Sequence, residues 1–202
     1  MTQTDVPGGR GIAFAPFESR ADVIVRTAQL ADRCGFDAFS LAEAAGNASP
    51  PLLAEIALTT DHLELSTSVL SVWSRSPAVL AMTAAGLHRM TSGRFVLGLG
   101  ASTPPLVEGL HGTPWDGPIG KLRSVLVAVR ELLEGRRLPH AANGARPLGV
   151  SVTPDHPIPL ALASLSPKTI HMTGELADRW LPFLWPRSQL AEGRRLLAEG
   201  AS

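Results

Sequence analysis

The chain is poor in several things. It has one cysteine, Cys34, in 202 residues. A single thiol excludes an internal disulfide and fits a reducing cytoplasm. Cys34 falls on the apolar side of a predicted helix, so the pattern predicts a buried, inert thiol. Tyrosine is absent, and lysine is rare beside arginine, two against sixteen; no function follows from either. Neither sign of charge is in excess, with 18 basic and 18 acidic residues. With no basic patch and no acidic run, nucleic acid and membrane surfaces are poor partners. No apolar run reaches the length of a membrane span. Residues 1–10 are polar and lack an export core, so the reading is a cytoplasmic protein. Histidines 62, 88, 140, 156 and 171 are scattered without metal-ligand spacing, and no metal site is predicted. No Ser-His-Asp or Cys-His arrangement can be assembled either.

What is present is apolar material: 45% of the chain, enough for one domain over 1–202 with a full core. The stretch from Arg94 to Ser102 (Arg-Phe-Val-Leu-Gly-Leu-Gly-Ala-Ser) organises the rest. Ser92-Gly93 opens it as a turn signal, and a short apolar run follows, as in a buried strand. Gly98 and Gly100 then weaken that strand at its end. Glycines there imply that something approaches the backbone closely, such as a flat ring lying on main chain. A bulge or a tight strand-to-loop bend is the alternative.

Along the chain, strands are predicted at Gly11–Pro16, Asp37–Leu41, Leu63–Val72, the Gly-rich stretch, Ile158–Ser164 and Arg179–Leu184. Helices are predicted at Ala21–Cys34, Pro50 to about Thr60, Pro77–Met90, Ile119–Glu134, Pro167–Leu176 and from Ser188 onward. The first helix should bury Val23, Ile24, Thr27, Leu30, Ala31 and Cys34, and Gly35 should stop it. The fourth carries the cleanest stripe: Leu122, Val125, Leu126, Val129, Leu132 and Leu133. Residues 102–118 and 135–157 read as loops. Strict βα alternation predicts an α/β fold with a parallel sheet and helices outside. A doubly wound sheet and a TIM-type barrel both fit. After Gly98-Leu-Gly100 the dinucleotide fingerprint lacks its third glycine and a clear helix start, which favours the barrel.

Six stretches carry a family resemblance: Ala31-Asp-Arg-Cys-Gly-Phe-Asp37, Ala42-Glu-Ala44, Leu65-Ser-Thr-Ser-Val69, Met90 through Gly100, Val107-Glu-Gly-Leu-His-Gly112, and Leu165-Ser-Pro-Lys168 followed by Gly174 through Pro182. In this order and spacing they resemble the luciferase-like flavin and deazaflavin oxidoreductases, most closely the branch using coenzyme F420. The resemblance implies a (β/α)₈ TIM-barrel-like fold with the cofactor at the C-terminal strand ends. Family members are usually much longer. The stretch matching their last two strands is missing, so a barrel truncated to about six βα units is expected. Its edge strands would then be covered by a second copy, as a homodimer, or by another chain.

The resemblance also implies a site. The third strand should bulge behind the cofactor ring, with a non-proline cis peptide at Ser68–Val69. Ser66 and Ser68 are small enough for close packing on a flat ring; an ordinary buried strand is the alternative. Gly98, Gly100, Ala101 and Ser102 would border the cofactor from the next strand. Ser166 is a good N-cap, and Pro167 suits a first helical turn. The free amides there, beside Leu165 and Lys168, would hold the cofactor phosphate; a plain helix start is the alternative. Glu43 lies just past the second strand and is a candidate catalytic carboxylate, or a partner for an arginine such as Arg75. The family's next position usually holds His or an aromatic ring, where this chain has Ala44. His111 is a candidate proton donor or cofactor contact. Trp73 and Trp185 could wall a substrate pocket. Two functions follow. One is an oxidoreductase or monooxygenase using F420, alternatively FMN, on a small organic substrate. The other is a degenerate relative without a cofactor, acting as a binding protein, a cofactor-free enzyme or a subunit of a two-chain enzyme.

Overall fold

The computed structural model describes residues 9–138 and 142–202. The readings made for residues 1–8 and for His140 lie outside it. In chain order the elements are β1 (Gly11–Phe14), α1 (Ala21–Arg33), β2 (Ala38–Leu41), α2 (Ser49–Ala57), β3 (Glu64–Thr67), β4 (Leu70–Ser71), α3 (Pro77–Met90) and β5 (Phe95–Gly100). Then follow α4 (Pro104–Gly109), α5 (Pro118–Leu133), β6 (Leu160–Ala163), α6 (Pro167–Leu176), β7 (Arg179–Leu181) and α7 (Leu190–Gly200). The sheet runs β1-β2-β3-β5-β6-β7, with β4 also paired to β5, and every pairing is parallel. It curls into a half-barrel backed by helices. β1 and β7 each have a single strand neighbour.

Alternation along each strand sets two faces. Phe39, Leu41, Leu65, Phe95, Leu97, Leu99, Leu160 and Leu162 point to the helices and join one core with α1, α2, α3, α5 and α6. The α5 stripe is buried throughout, at 7% exposure or less. Full burial of each such leucine or phenylalanine contributes roughly 1.5–3 kcal/mol. Local signals hold where they were strongest. α3 and α6 begin at their prolines behind the N-caps Ser76 and Ser166. Gly35, at φ 70°, ends α1. Its N–H donates to Asp32 and that of Phe36 to Ala31, the paired bonds of a glycine-terminated helix. Asp32 also accepts from the backbone N–H groups of Asp61, His62 and Leu63 at 2.9–3.0 Å. Burial opposes its charge, but these three donors win and hold the carboxyl below its ordinary value.

Three expectations change. α1 buries Ile24, Val25, Ala28 and Ala31, while Leu30 is 53% exposed. The helix is rotated because the sheet meets it on the side of Val25 and Ala28. Cys34 is exposed, not buried, since the chain turns away at Gly35. The loop after β5 contains α4, started by Pro104 and Pro105 in its first turn. As the resemblance implies, the third strand is interrupted, between β3 and β4, and the Ser68–Val69 peptide there is cis. No helix among the described residues is long and apolar enough to cross a membrane.

Candidate functional site

The break between β3 and β4 can be read from register. Ser66 pairs with Val96, and Leu70 pairs with Leu99. Four steps on one strand face three on the other, so one extra residue bulges out. The Thr67 side chain repairs the ladder there. Its hydroxyl donates to the Gly98 carbonyl at 2.8 Å and accepts from the Gly98 N–H at 2.9 Å. The same bulge explains the glycines of β5. A Cβ on Gly98 would lie 1.9 Å from the Thr67 carbonyl oxygen, and one on Gly100 would lie 2.6 Å from Val69 Cγ2. The close approach predicted from Gly98 and Gly100 is therefore made by the chain's own bulge.

The face of the sheet away from the helices is concave. It carries Gly11, Ala13, Ala38, Ser40, Ser66, Val96, Gly98, Gly100, Ala161 and Ala163 in register. Closed barrels fill this space with layers of bulky branched residues. Here these positions are mostly small, but Glu64, Arg179 and Leu181 share the face, and Val96, Gly98, Gly100 and Ala161 are buried. At its lower end Arg179 of β7 reaches across β6 and β5 to grip both carboxylate oxygens of Glu64 on β3, one at 2.8 Å. Glu64 holds the Arg179 guanidinium above its ordinary pKa.

The C-terminal strand ends form the mouth. Glu43 follows β2, Ser74 and Arg75 follow β4, and His111 follows β5. The four line one cavity of about 280 Å³ together with Ala44, Gly46, Asn47 and Ala48. The Glu43 carboxylate faces the Arg75 guanidinium end-on: Nη1 bonds Oε1 and Nη2 donates to Oε2 at 3.0 Å. Oε2 also accepts from the Ser49 N–H at 2.9 Å. Glu43 thereby caps α2, whose own N-cap, Ala48, has no side-chain acceptor. The side chains of Glu43 and Arg75 are 12% and 20% exposed. Of the two roles weighed for Glu43, the arginine pair is the one formed. His111 is exposed on the cavity wall.

The other sequence candidates are distributed around this mouth. Ser66 is on the concave face, and Ser68 and Val69 are the bulge. Ala101 and Ser102, the latter at φ 68°, lead out of β5. Leu165 is 51% exposed beyond β6. Ser166 caps α6: its Oγ accepts from the Thr169 N–H at 3.3 Å, and the Thr169 hydroxyl accepts from the Ser166 N–H at 3.2 Å. Lys168 is exposed on the first turn of α6. Trp73 and Trp185 lie outside the lining of the 280 Å³ cavity. Trp73 packs on Trp115 at 5.6 Å, with Lys121 Nζ over its ring at 5.6 Å. Trp185 meets Trp180 edge-on at 5.5 Å. Both Nε1–H groups are buried without a partner among the described residues. Asn47 and Ser74 are not among the residues the sequence singles out, and Thr67 enters it only as part of the Leu65–Val69 stretch; Ser74, just ahead of the Ser76-Pro77 helix start, carries a positional signal. A larger hollow of about 420 Å³ lies at the opposite end, against Arg130, Glu134, Asp155, His156 and the start of β6. Barrel enzymes place their chemistry at the other end, so the smaller cavity is the candidate. Among the described residues no group of three or more His, Cys, Asp or Glu could hold a metal ion.

Comparison with known proteins agrees with this geometry. An oxidoreductase of Mycobacterium tuberculosis named as coenzyme F420-dependent is 32% identical over 185 residues, 84% of this chain and 53% of the relative. The 5,10-methylenetetrahydromethanopterin reductase of Methanolobus tindarius is 25% identical over 170 residues, 83% of this chain and 52% of the relative. The chain thus spans about half the length of the relatives it matches. Among solved structures, the coenzyme F420-dependent tetrahydromethanopterin reductase of Methanopyrus kandleri superposes with a TM-score of 0.83 at 19% identity, covering 96% of this chain and 60% of that one. An FMN complex of the oxygenating constituent of 3,6-diketocamphane monooxygenase from Pseudomonas putida gives 0.80 at 19% identity, covering 96% and 62%. At those identities the likeness shows the fold alone. The family profile described as luciferase-like monooxygenase matches residues 4–202, almost the whole of this half-barrel, and the chain belongs to that family.

Proposed function

We propose that the protein is an oxidoreductase that binds F420, or alternatively FMN, across the mouth of the half-barrel. The observation that carries this reading is the floor of the mouth, where the half-buried Ser66, Ser68 and Ala101 and the buried Gly100 present backbone and small side chains. Such a floor suits a flat heterocycle. Val69 would border the ring from the bulge, and Gly98 and Ser102 would shape the strand end. Lys168 and its backbone N–H, at the first turn of α6, suit a phosphate. Leu165 would line the approach. When bound, the cofactor supplies the hydride or oxygen chemistry. The chain's part is to orient the substrate over that floor, keep water out, and move a proton. His111 is the residue placed to move it, because Glu43 already spends both oxygens on Arg75 and Ser49.

The strand edges β1 and β7 support a further element of the reading. A second copy, or another chain, covers the open side of the half-barrel. F420 titrated into the protein, followed by quenching of its fluorescence, should show saturable binding, and FMN should bind more weakly. Failure of both rings to bind the protein in its assembled state removes the redox role. Sedimentation across a concentration series should show association, whereas a monomer at every concentration removes the covering partner.

A further inference from the structure

We infer that Arg75 is a substrate-binding residue and that the cavity it walls takes a small organic carboxylate. The inference rests on reading the mouth as a substrate chamber. A guanidinium has five N–H donors in one fixed plane. Glu43 takes one from Nη1 and one from Nη2, and Ser74 Oγ takes the second from Nη1 at 3.1 Å. The remaining two, on Nε and Nη2, have no partner among the described residues. They lie side by side along one edge of the plane, where the two oxygens of a carboxylate fit. Glu43 and Ser74 hold the plane from its other sides, so little ordering remains when a ligand arrives.

Charge selects the class of ligand. Glu43 already cancels the Arg75 charge. A dianionic phosphate would leave a double negative charge in a site where both side chains are largely buried. A carboxylate brings a single negative charge, and the exposed His111 ring on the same wall can offer it an N–H donor. Volume agrees, since about 280 Å³ admits a small organic acid and little more.

The test uses the protein without added cofactor and three probes: benzoate, benzamide and phenyl phosphate. Nitrogen-15 NMR follows the Arg75 Nε–H, and calorimetry gives affinities. Benzoate should move the Nε–H resonance and bind about tenfold tighter than either other probe, the loss expected when one charge-assisted contact is removed. Arg75→Lys keeps a cation for Glu43 but lacks the second edge, and should weaken benzoate about tenfold. Equal binding of benzamide, tighter binding of phenyl phosphate, undiminished benzoate binding in Arg75→Lys, or no benzoate binding each overturns the inference. F420 and FMN titrations on the same samples are a separate readout. If neither ring binds while benzoate does, the redox reading falls and the carboxylate site stands.

Discussion

Thr67→Val tests whether one hydroxyl holds the bulge that shapes the floor of the mouth. Thr67 is fully buried, and its hydroxyl satisfies both the N–H and the carbonyl of Gly98. Valine keeps the shape and orphans both groups. Each buried main-chain group left without a partner costs about 1–3 kcal/mol. Removing the buried hydroxyl returns about 1 kcal/mol of its own desolvation. The net expected loss is about 1–5 kcal/mol. Thr67→Ser is the control: it keeps the hydroxyl and loses one methyl, for about 1 kcal/mol. Urea unfolding followed by tryptophan fluorescence should show the valine midpoint well below the serine one at an unchanged slope. If the valine variant is as stable as the serine variant, the hydroxyl does not carry the ladder across the bulge, and the argument fails.

Other outcomes follow from the same geometry. Gly98→Ala places a methyl 1.9 Å from the Thr67 carbonyl oxygen, so it should destabilise by more than about 3 kcal/mol or prevent folding, whereas alanine at Gly86, which meets nothing within 4 Å, should be neutral or stabilising. Glu43→Ala leaves Arg75 unpaired and should cost about 3 kcal/mol in urea unfolding; Glu43→Gln combined with Arg75→Gln should recover part of that loss, and full additivity of the two single changes would show that the pair is not coupled. His88 is 6% exposed, and its Nδ1 has no partner. Burial, then the nearby His156, push its pKa below the ordinary value against the Phe95 carbonyl and Asp155. The unfolded chain therefore takes the proton first. Stability should be flat above about pH 7.5, fall as the pH drops through about 6.5, and level off only once folded His88 is protonated. His88→Leu should shrink that acid loss in urea midpoints at about pH 7.5 and about pH 5.5, and an unchanged loss would assign it to other groups.

Neighbours within a few residues determined what could be read in the sequence. The α5 stripe, the proline starts of α3 and α6, and the Gly35 stop all depend on one helical turn, and all are where the pattern put them. Strand and helix alternation was legible for the same reason, and with it the parallel α/β class. The facing of α1 was not, because Val23 and Leu30 look as apolar as Val25 and Ala28 until a sheet chooses between them. The glycines of β5 announced a close approach, but the sequence could not say that Thr67 and Val69 make it. Glu43 and Arg75 lie 32 residues apart, and Glu64 and Arg179 lie 115 apart. No local period links such partners. The parallel winding of the sheet brings their strand ends together, and that winding decided that Glu43 meets a guanidinium, that the Glu64–Arg179 pair spans the concave face, and that Arg75 keeps one edge unused.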